Sequence, residues 1–193
     1  MSGSTEVKII SGWVRGQVSF KRFKHIQGVV KTSLKLASKY NIDFKKAQLA
    51  GWLHDCAKEL PRETMLRWLQ GTSFKLDSME KGMPGLWHPH VGAAIALKKW
   101  KIKDNSVLQA IRCHTLGRPG MDRLAQIVFI ADFIEPGRDF IGVGRVRKIA
   151  LRGLADGVCI KALTTVQHLF ENRMMIHSRL VDTWNYFLKK DIV

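Results

Sequence analysis

Two carboxylates sit where little besides a cation would keep them charged. Asp55 follows His54 inside Leu49-Ala-Gly-Trp-Leu-His54-Asp55-Cys-Ala57, and Asp132 lies within Leu124-Ala-Gln-Ile-Val-Phe-Ile-Ala-Asp132-Phe-Ile134, both otherwise apolar helical stretches. An ionised Asp in such surroundings needs a cation or several hydrogen bonds to stay charged, and a metal ion supplies the first. His25, on an amphipathic helix, His88, and His114, which ends an apolar helix, bring the set to enough nitrogen and oxygen donors for two divalent metals. Metals held in this way polarise a phosphoryl oxygen and draw a nucleophile from water at neutral pH.

Each of these histidines taken singly is more often a satisfied core or surface residue than a ligand. The ordered series, His, then His-Asp, then His, His and Asp on successive helices, is much harder to place by chance in apolar helical contexts. Lys58 comes four residues after His54 and three after Asp55, so one helical face presents all three and the ammonium can meet a phosphate beside the metals. The plainer reading of Lys58 is a surface lysine, since Lys58-Glu59 begins a polar helix end. Arg22, three residues before His25, has a similar claim. Other patterns fall away. Gly142-Val-Gly144 has no strand before it and Arg147 where a third glycine would stand, and neither a P-loop nor a G-x-S-x-G elbow occurs. Cys56 has no independent base once His54 is a ligand, and His90, His168 and His177 read as structural or surface residues.

The elements that must position these groups are helices. Apolar residues recur with helical period and clean alternation is almost absent, so the class is all-α. A helix starting near Ser19 carries Phe23, Ile26, Val30 and Leu34 on one face. Asp43 caps the next, through Leu49 and Leu53, and Pro61 opens a short one to about Leu69. Gly71 to Leu86 mixes Gly, Pro, Ser and charges without period and reads as a loop able to cover a site. Helices then run from His90 to about Trp100, Asp104 to His114 and Asp122 to Glu135. After a turn-rich Pro136 to Gly144 come two more, Val146 to Asn172, with a break near Gly153 or Gly157, and Val181 to Lys189.

At 193 residues with 46% hydrophobic and 25% charged side chains, the chain fits one globular domain with its own core. Residues 1–18 are expected as an N-terminal helical extension and 19–193 as the domain proper. The opening Met1 to Glu6 lacks the blocks of a signal peptide, and no apolar run is long enough to span a bilayer, so a cytoplasmic protein without membrane contact is expected. Cys56, Cys113 and Cys159 form no C-x-x-C pair and read as free thiols. Thirty-two Lys and Arg against 16 acids give +16, which favours polyanionic partners such as nucleotides or RNA, although a solvated basic face explains the same spread.

Five stretches together resemble the YqeK family of HD-domain hydrolases, described as symmetrical bis(5'-nucleosyl)-tetraphosphatases. They are Arg22-Phe-Lys-His25, Gly51-Trp-Leu-His54-Asp55-Cys-Ala-Lys58, Leu86-Trp-His88-Pro-His-Val-Gly92-Ala93, Ala110-Ile-Arg-Cys-His114-Thr115-Leu-Gly117-Arg118-Pro-Gly120 and Ile130-Ala-Asp132-Phe-Ile-Glu135-Pro136-Gly-Arg138. The resemblance implies a single-domain HD-type helical bundle and hydrolysis of diadenosine tetraphosphate to two ADP. It implies that His25, His54, Asp55 and Asp132 hold one metal, while His88 and His114 with a bridging Asp55 hold the second. Asp55 and Lys58 become the catalytic pair, and Lys58, Thr115, Arg118, Glu135 and Arg138 line the substrate side. Iron is the expected metal, with manganese or cobalt as substitutes.

His90 stands where the family pattern expects a proline or small residue, which raises the question of which histidine in Trp87-His88-Pro89-His90 binds metal; His88 is the choice here. Other readings are a phosphohydrolase for another nucleotide (a dNTP, a nucleoside diphosphate or a guanosine alarmone) and a basic RNA- or ribosome-binding module on a degenerate HD fold. A homodimer and weak nucleic-acid association complete the expectations.

Overall fold

The computed structural model describes residues 3–188, and every regular element among them is helical. Helix α1 (Gly3–Arg15) is followed by α2 (Phe20–Lys39) and α3 (Phe44–Leu53), then by α4 (Arg62–Leu69), α5 (Ser78–Gly82) and a short 3-10 turn at Pro84–Leu86. Helices α6 (His88–Lys98), α7 (Asn105–Cys113) and α8 (Arg123–Ile134) come next, and α9 (Val143–Ala150), α10 (Leu154–Glu171) and α11 (Ser178–Leu188) close the fold.

Local chemistry sets most of the helix starts. The side chains of Ser19, Asp43, Asp104 and Asp122 each accept a hydrogen bond from a backbone N–H in the first turn of α2, α3, α7 and α8, satisfying donors that the helix cannot. Helices α2, α3, α7 and α8 pack on one another, and α6 packs on α3 and α7. Ile26, Leu53, Ile95, Ile111, Ile127, Phe129 and Ile130 are fully buried between them; each such side chain contributes about 1.5–3 kcal/mol. Gly92 allows the closest approach, because a Cβ there would stand 2.8 Å from the carbonyl oxygen of Leu53. It draws α6 onto the end of α3, where His54 begins.

Several boundaries differ from the sequence reading. The segment Gly71 to Leu86 is not all loop: Asp77 and Glu80 form a reciprocal capping box that starts α5, a helix too short to show a period. Helix α6 begins at His88, since Pro89 fits the first turn of a helix. The long helix read from Val146 splits at Gly153, while Gly157 lies inside α10, against Ile130. The last helix starts at Ser178, and the end read at Lys189 lies outside the described residues. In the stretch read as an extension, Val7, Ile10 and Val14 of α1 join the common core and α1 packs on α3.

Candidate metal centre

The helix ends bring four imidazoles together with their ring faces already chosen. His54 Nδ1 lies 2.7 Å from the Gly51 carbonyl, His114 Nδ1 2.7 Å from the Ile111 carbonyl, and His88 Nδ1 2.9 Å from the Gly85 carbonyl. A carbonyl can only accept, so each Nδ1 carries the hydrogen and each Nε2 keeps its lone pair. His25 is held in the same sense by a carboxylate, with Nδ1 3.1 Å from Glu135 Oε1. His54, His88 and His114 are each 2% exposed or less, and burial is the main reason that all three resist protonation, His54 being pushed down to about 4.

Asp55 stands between them and gives one oxygen to each side. Its Oδ2 is 3.7 Å from His25 Nε2 and 3.8 Å from His54 Nε2, while Oδ1 is 3.2 Å from His88 Nε2 and 3.4 Å from His114 Nε2. Two compact donor sets result, His25-His54-Asp55 and Asp55-His88-His114. Burial acts to raise the Asp55 carboxyl, yet the group stays well below the usual carboxylate range. Asp132 Oδ1 adds to the first set, 3.1 Å from His25 Nε2 and 4.0 Å from His54 Nε2.

These donors fit divalent ions on a structural ground of their own. His54 Nε2 is buried without any hydrogen-bond partner. His88 Nε2 and His114 Nε2 face each other at 3.0 Å, and two lone pairs at that distance repel unless a positive charge is shared between them. An orphaned nitrogen and a crowded pair, both turned toward an ionised carboxylate, are what metal ligation relieves.

The remaining expected residues fall into different places. Lys58 Nζ lies 3.3 Å from His88 Nδ1 and 3.4 Å from the Gly85 carbonyl, beside the second donor set; burial lowers its pKa. Thr115 Oγ1 is 3.0 Å from His114 Nε2 and 3.3 Å from His88 Nε2. Arg138 donates to the Asp132 carbonyl and to Oδ1, each at 2.8 Å. Glu135, expected on the substrate side, is 3% exposed and bonded to His25 Nδ1 and the Gly137 N–H. Its position corrects that expectation: the carboxylate orients His25 from behind. Arg118 meets neither donor set and lines a separate pocket with His90, Arg112 and Cys113.

Sequence reasoning missed Lys161. Its ammonium is buried on α10 and donates to the His114 carbonyl at 2.7 Å, the Phe129 carbonyl at 2.8 Å and Asp132 Oδ2 at 2.9 Å. Burial raises the Asp132 carboxyl, but Lys161 and then His25 and Arg138 outweigh it, and Asp132 stays well below the usual range. The signal was present in Val158-Cys-Ile-Lys161-Ala-Leu163: a lone lysine in an apolar helix poses the same puzzle as Asp132, and the two answer each other. Arg22 reaches Asp55 Oδ2 at 2.8 Å from the opposite edge.

A second cluster has similar composition. Asp77, Glu80 and His177 also bring ligand atoms together, yet Arg179 spans Asp77 Oδ2 at 2.6 Å and Glu80 Oε1 at 2.9 Å, and His90 Nε2 stands 2.8 Å from Glu80 Oε1. The structure thus puts His88 in the donor set around Asp55 and His90 on Glu80.

These His and Asp side chains, brought together on packed helices, fall within one recognised class of helical domain: the family model of the HD domain matches residues 22–137. A Bacillus subtilis protein described as a symmetrical bis(5'-nucleosyl)-tetraphosphatase is 34% identical over 175 residues, covering 91% of this chain and 94% of its own length. A Halalkalibacterium halodurans protein of the same description is 35% identical over 175 residues, covering 91% and 93%. The crystal structure of a predicted HD superfamily hydrolase involved in NAD metabolism from Clostridium acetobutylicum superimposes with a TM-score of 0.89 at 35% identity, over 95% of this chain and 97% of that one. The chain belongs to the HD-domain family and, within it, to the group of the symmetrical bis(5'-nucleosyl)-tetraphosphatases.

Proposed function

We propose that this protein hydrolyses diadenosine tetraphosphate at its central phosphoanhydride, adding one water and releasing two ADP. The observation that carries this reading is the split carboxylate of Asp55, one oxygen toward His25 and His54 and the other toward His88 and His114. His25, His54, Asp55 and Asp132 on one side and Asp55, His88 and His114 on the other would hold two divalent ions, which would supply Lewis acidity and lower the pKa of water. The chain's own groups do the rest. Lys58, against His88, offers a preorganised ammonium to charge growing on phosphoryl oxygens. The Thr115 hydroxyl, beside His88 and His114, orients an oxygen entering that side. Arg22 and Arg138, with side chains 27% and 37% exposed on the two site acids, approach the phosphate chain from the open edge. Glu135 and Lys161 touch no substrate and fix His25 and Asp132.

The description of the Bacillus and Halalkalibacterium relatives as symmetrical bis(5'-nucleosyl)-tetraphosphatases supports the substrate, and the mixed imidazole and carboxylate donors suit iron, with manganese or cobalt as replacements. We place the activity in the cytoplasm: Cys56 and Cys113 are buried free thiols and no described helix is long and apolar enough to cross a membrane. The finer expectations of a homodimer, weak nucleic-acid association and a hydrolase domain at 19–193 preceded by the 1–18 extension belong to the same reading. Elemental analysis of purified protein, followed by a panel of nucleotides, tests it. About two metals per chain and ADP as the sole product from diadenosine tetraphosphate are expected; full turnover after thorough chelation overturns the metal mechanism, and preference for a mononucleotide overturns the substrate.

A further inference from the structure

A pocket of about 330 Å³ opens between α6, α7 and α11, and none of the metal-facing side chains line it. Its walls are His90, Gln109, Arg112, Cys113, Gly117, Arg118 and Arg179. Arg179 answers Asp77 and Glu80, but neither Arg112 nor Arg118 has a carboxylate within ion-pair distance among the described residues. Arg112 lies over the Phe74 ring, 5.0 Å from its centroid, with its buried Nε unpartnered. A guanidinium fixed on an aromatic face with an idle donor is set for an oxyanion.

A second idle atom adds to this. His90 is 2% exposed, and while its Nε2 meets Glu80 Oε1 at 2.8 Å, its Nδ1 has no partner. The acceptor-only carboxylate fixes a hydrogen on Nε2, and Nδ1 is left to meet a hydroxyl of a bound ligand. The rim is rigid. Gly117 adopts φ 67, a Cβ there would run into the Thr183 side chain at 2.6 Å, and the Thr183 hydroxyl donates to the Leu116 carbonyl at 3.0 Å. Arg118 is thereby carried on an anchored turn.

We propose that this pocket is a second anion site, separate from the metal centre, which takes one phosphate group through Arg112 and Arg118 with a hydroxyl of the same ligand on His90 Nδ1. Its volume is at the small end of the roughly 300–1,000 Å³ of ligand pockets, matched to a single phosphate-bearing group. Monohydrogen phosphate supplies oxyanion and hydroxyl in one ion, and a nucleotide supplies them from its phosphate and ribose. The inference stands whether or not the metal centre hydrolyses diadenosine tetraphosphate.

Metal-loaded protein is titrated calorimetrically with inorganic phosphate and, separately, with ADP. Two classes of binding site are expected for at least one of these probes. Arg112→Gln removes a charge-assisted contact, and Gln109→Glu sets a carboxylate among the guanidiniums. Each should weaken one class by roughly ten- to a hundred-fold and leave the other class and the metal content unchanged. A second class seen with phosphate assigns the site to the free ion, and one seen with ADP alone assigns it to a nucleotide. A single class in the parent for both probes, or two classes unaltered in folded Gln109→Glu, overturns the proposal.

Discussion

Two regions of this molecule hold nearly the same residue types and use them in opposite ways. Around Asp55, the Nδ1 atoms are spent on carbonyls or on Glu135, so the Nε2 lone pairs are left facing one carboxylate. Around Glu80, the acid is met by His90 and by Arg179, and Arg179 also ties down Asp77. In both clusters three possible donor atoms lie within 4.8 Å of one another. What separates them is the hydrogen-bond count: the first leaves lone pairs without hydrogens, while a guanidinium already supplies the positive charge in the second. Metal-site reading therefore depends on what the second ring nitrogen touches.

The largest test of this contrast is Asp55→Asn against His90→Ala. Losing the shared anionic carboxylate should empty both donor sets and reduce activity to background, whereas His90→Ala should keep near-parental metal content, measured by elemental analysis of each purified variant. Greater metal loss in His90→Ala than in His88→Ala would reverse the roles given to the two regions. Next comes Lys161→Met, which takes the buried ammonium away from Asp132 and leaves it the half-exposed Arg138. Breaking such a pair typically costs about 3–5 kcal/mol, so the melting temperature and the metal occupancy should fall together. An unchanged melting temperature would mean that Lys161 holds nothing in place.

Lys58→Ala should keep the metals and the fold, and lower turnover by roughly 10²–10³-fold, as removal of one preorganised donor does. Parental turnover at full metal occupancy would reduce Lys58 to a surface residue. The smallest effect is one of pH, read on chelator-treated protein. Burial drives the folded-state pKa of His54 from 6.5 to about 4, so between those values the unfolded chain binds a proton that the folded chain refuses. Stability from this group is full above pH 6.5 and is lost as the pH falls toward 4. Glu80 is driven from 4.5 to about 2: burial opposes the shift, but His90, the Asp77 backbone and Arg179 outweigh it. Its contribution is therefore lost lower, between 4.5 and 2. Thermal melts should show the first loss removed by His54→Asn and the second by Glu80→Gln; a flat profile from 6.5 to 4 in the parent would deny His54 its buried neutral state.

The sequence by itself determined the helical class, the cap at Asp43, the helix starts near Ser19, Asp104 and Asp122, and the residues His25, His54, Asp55, His114 and Asp132 that the fold gathers. These were legible because caps act locally, and because a charge in an apolar helix stands out wherever that helix packs. The sequence could not weigh His88 against His90, two residues apart on one helix. Only the packing of α5 and α11 put Glu80 and Arg179 beside His90. Tertiary structure also placed Glu135 behind His25 and brought Lys161 from α10 to Asp132 across a separation of 29 residues. Such pairings depend on which helix faces cross, and no spacing along the chain encodes a crossing; the role of a polar side chain is fixed by its partners, and most of these partners are distant in sequence.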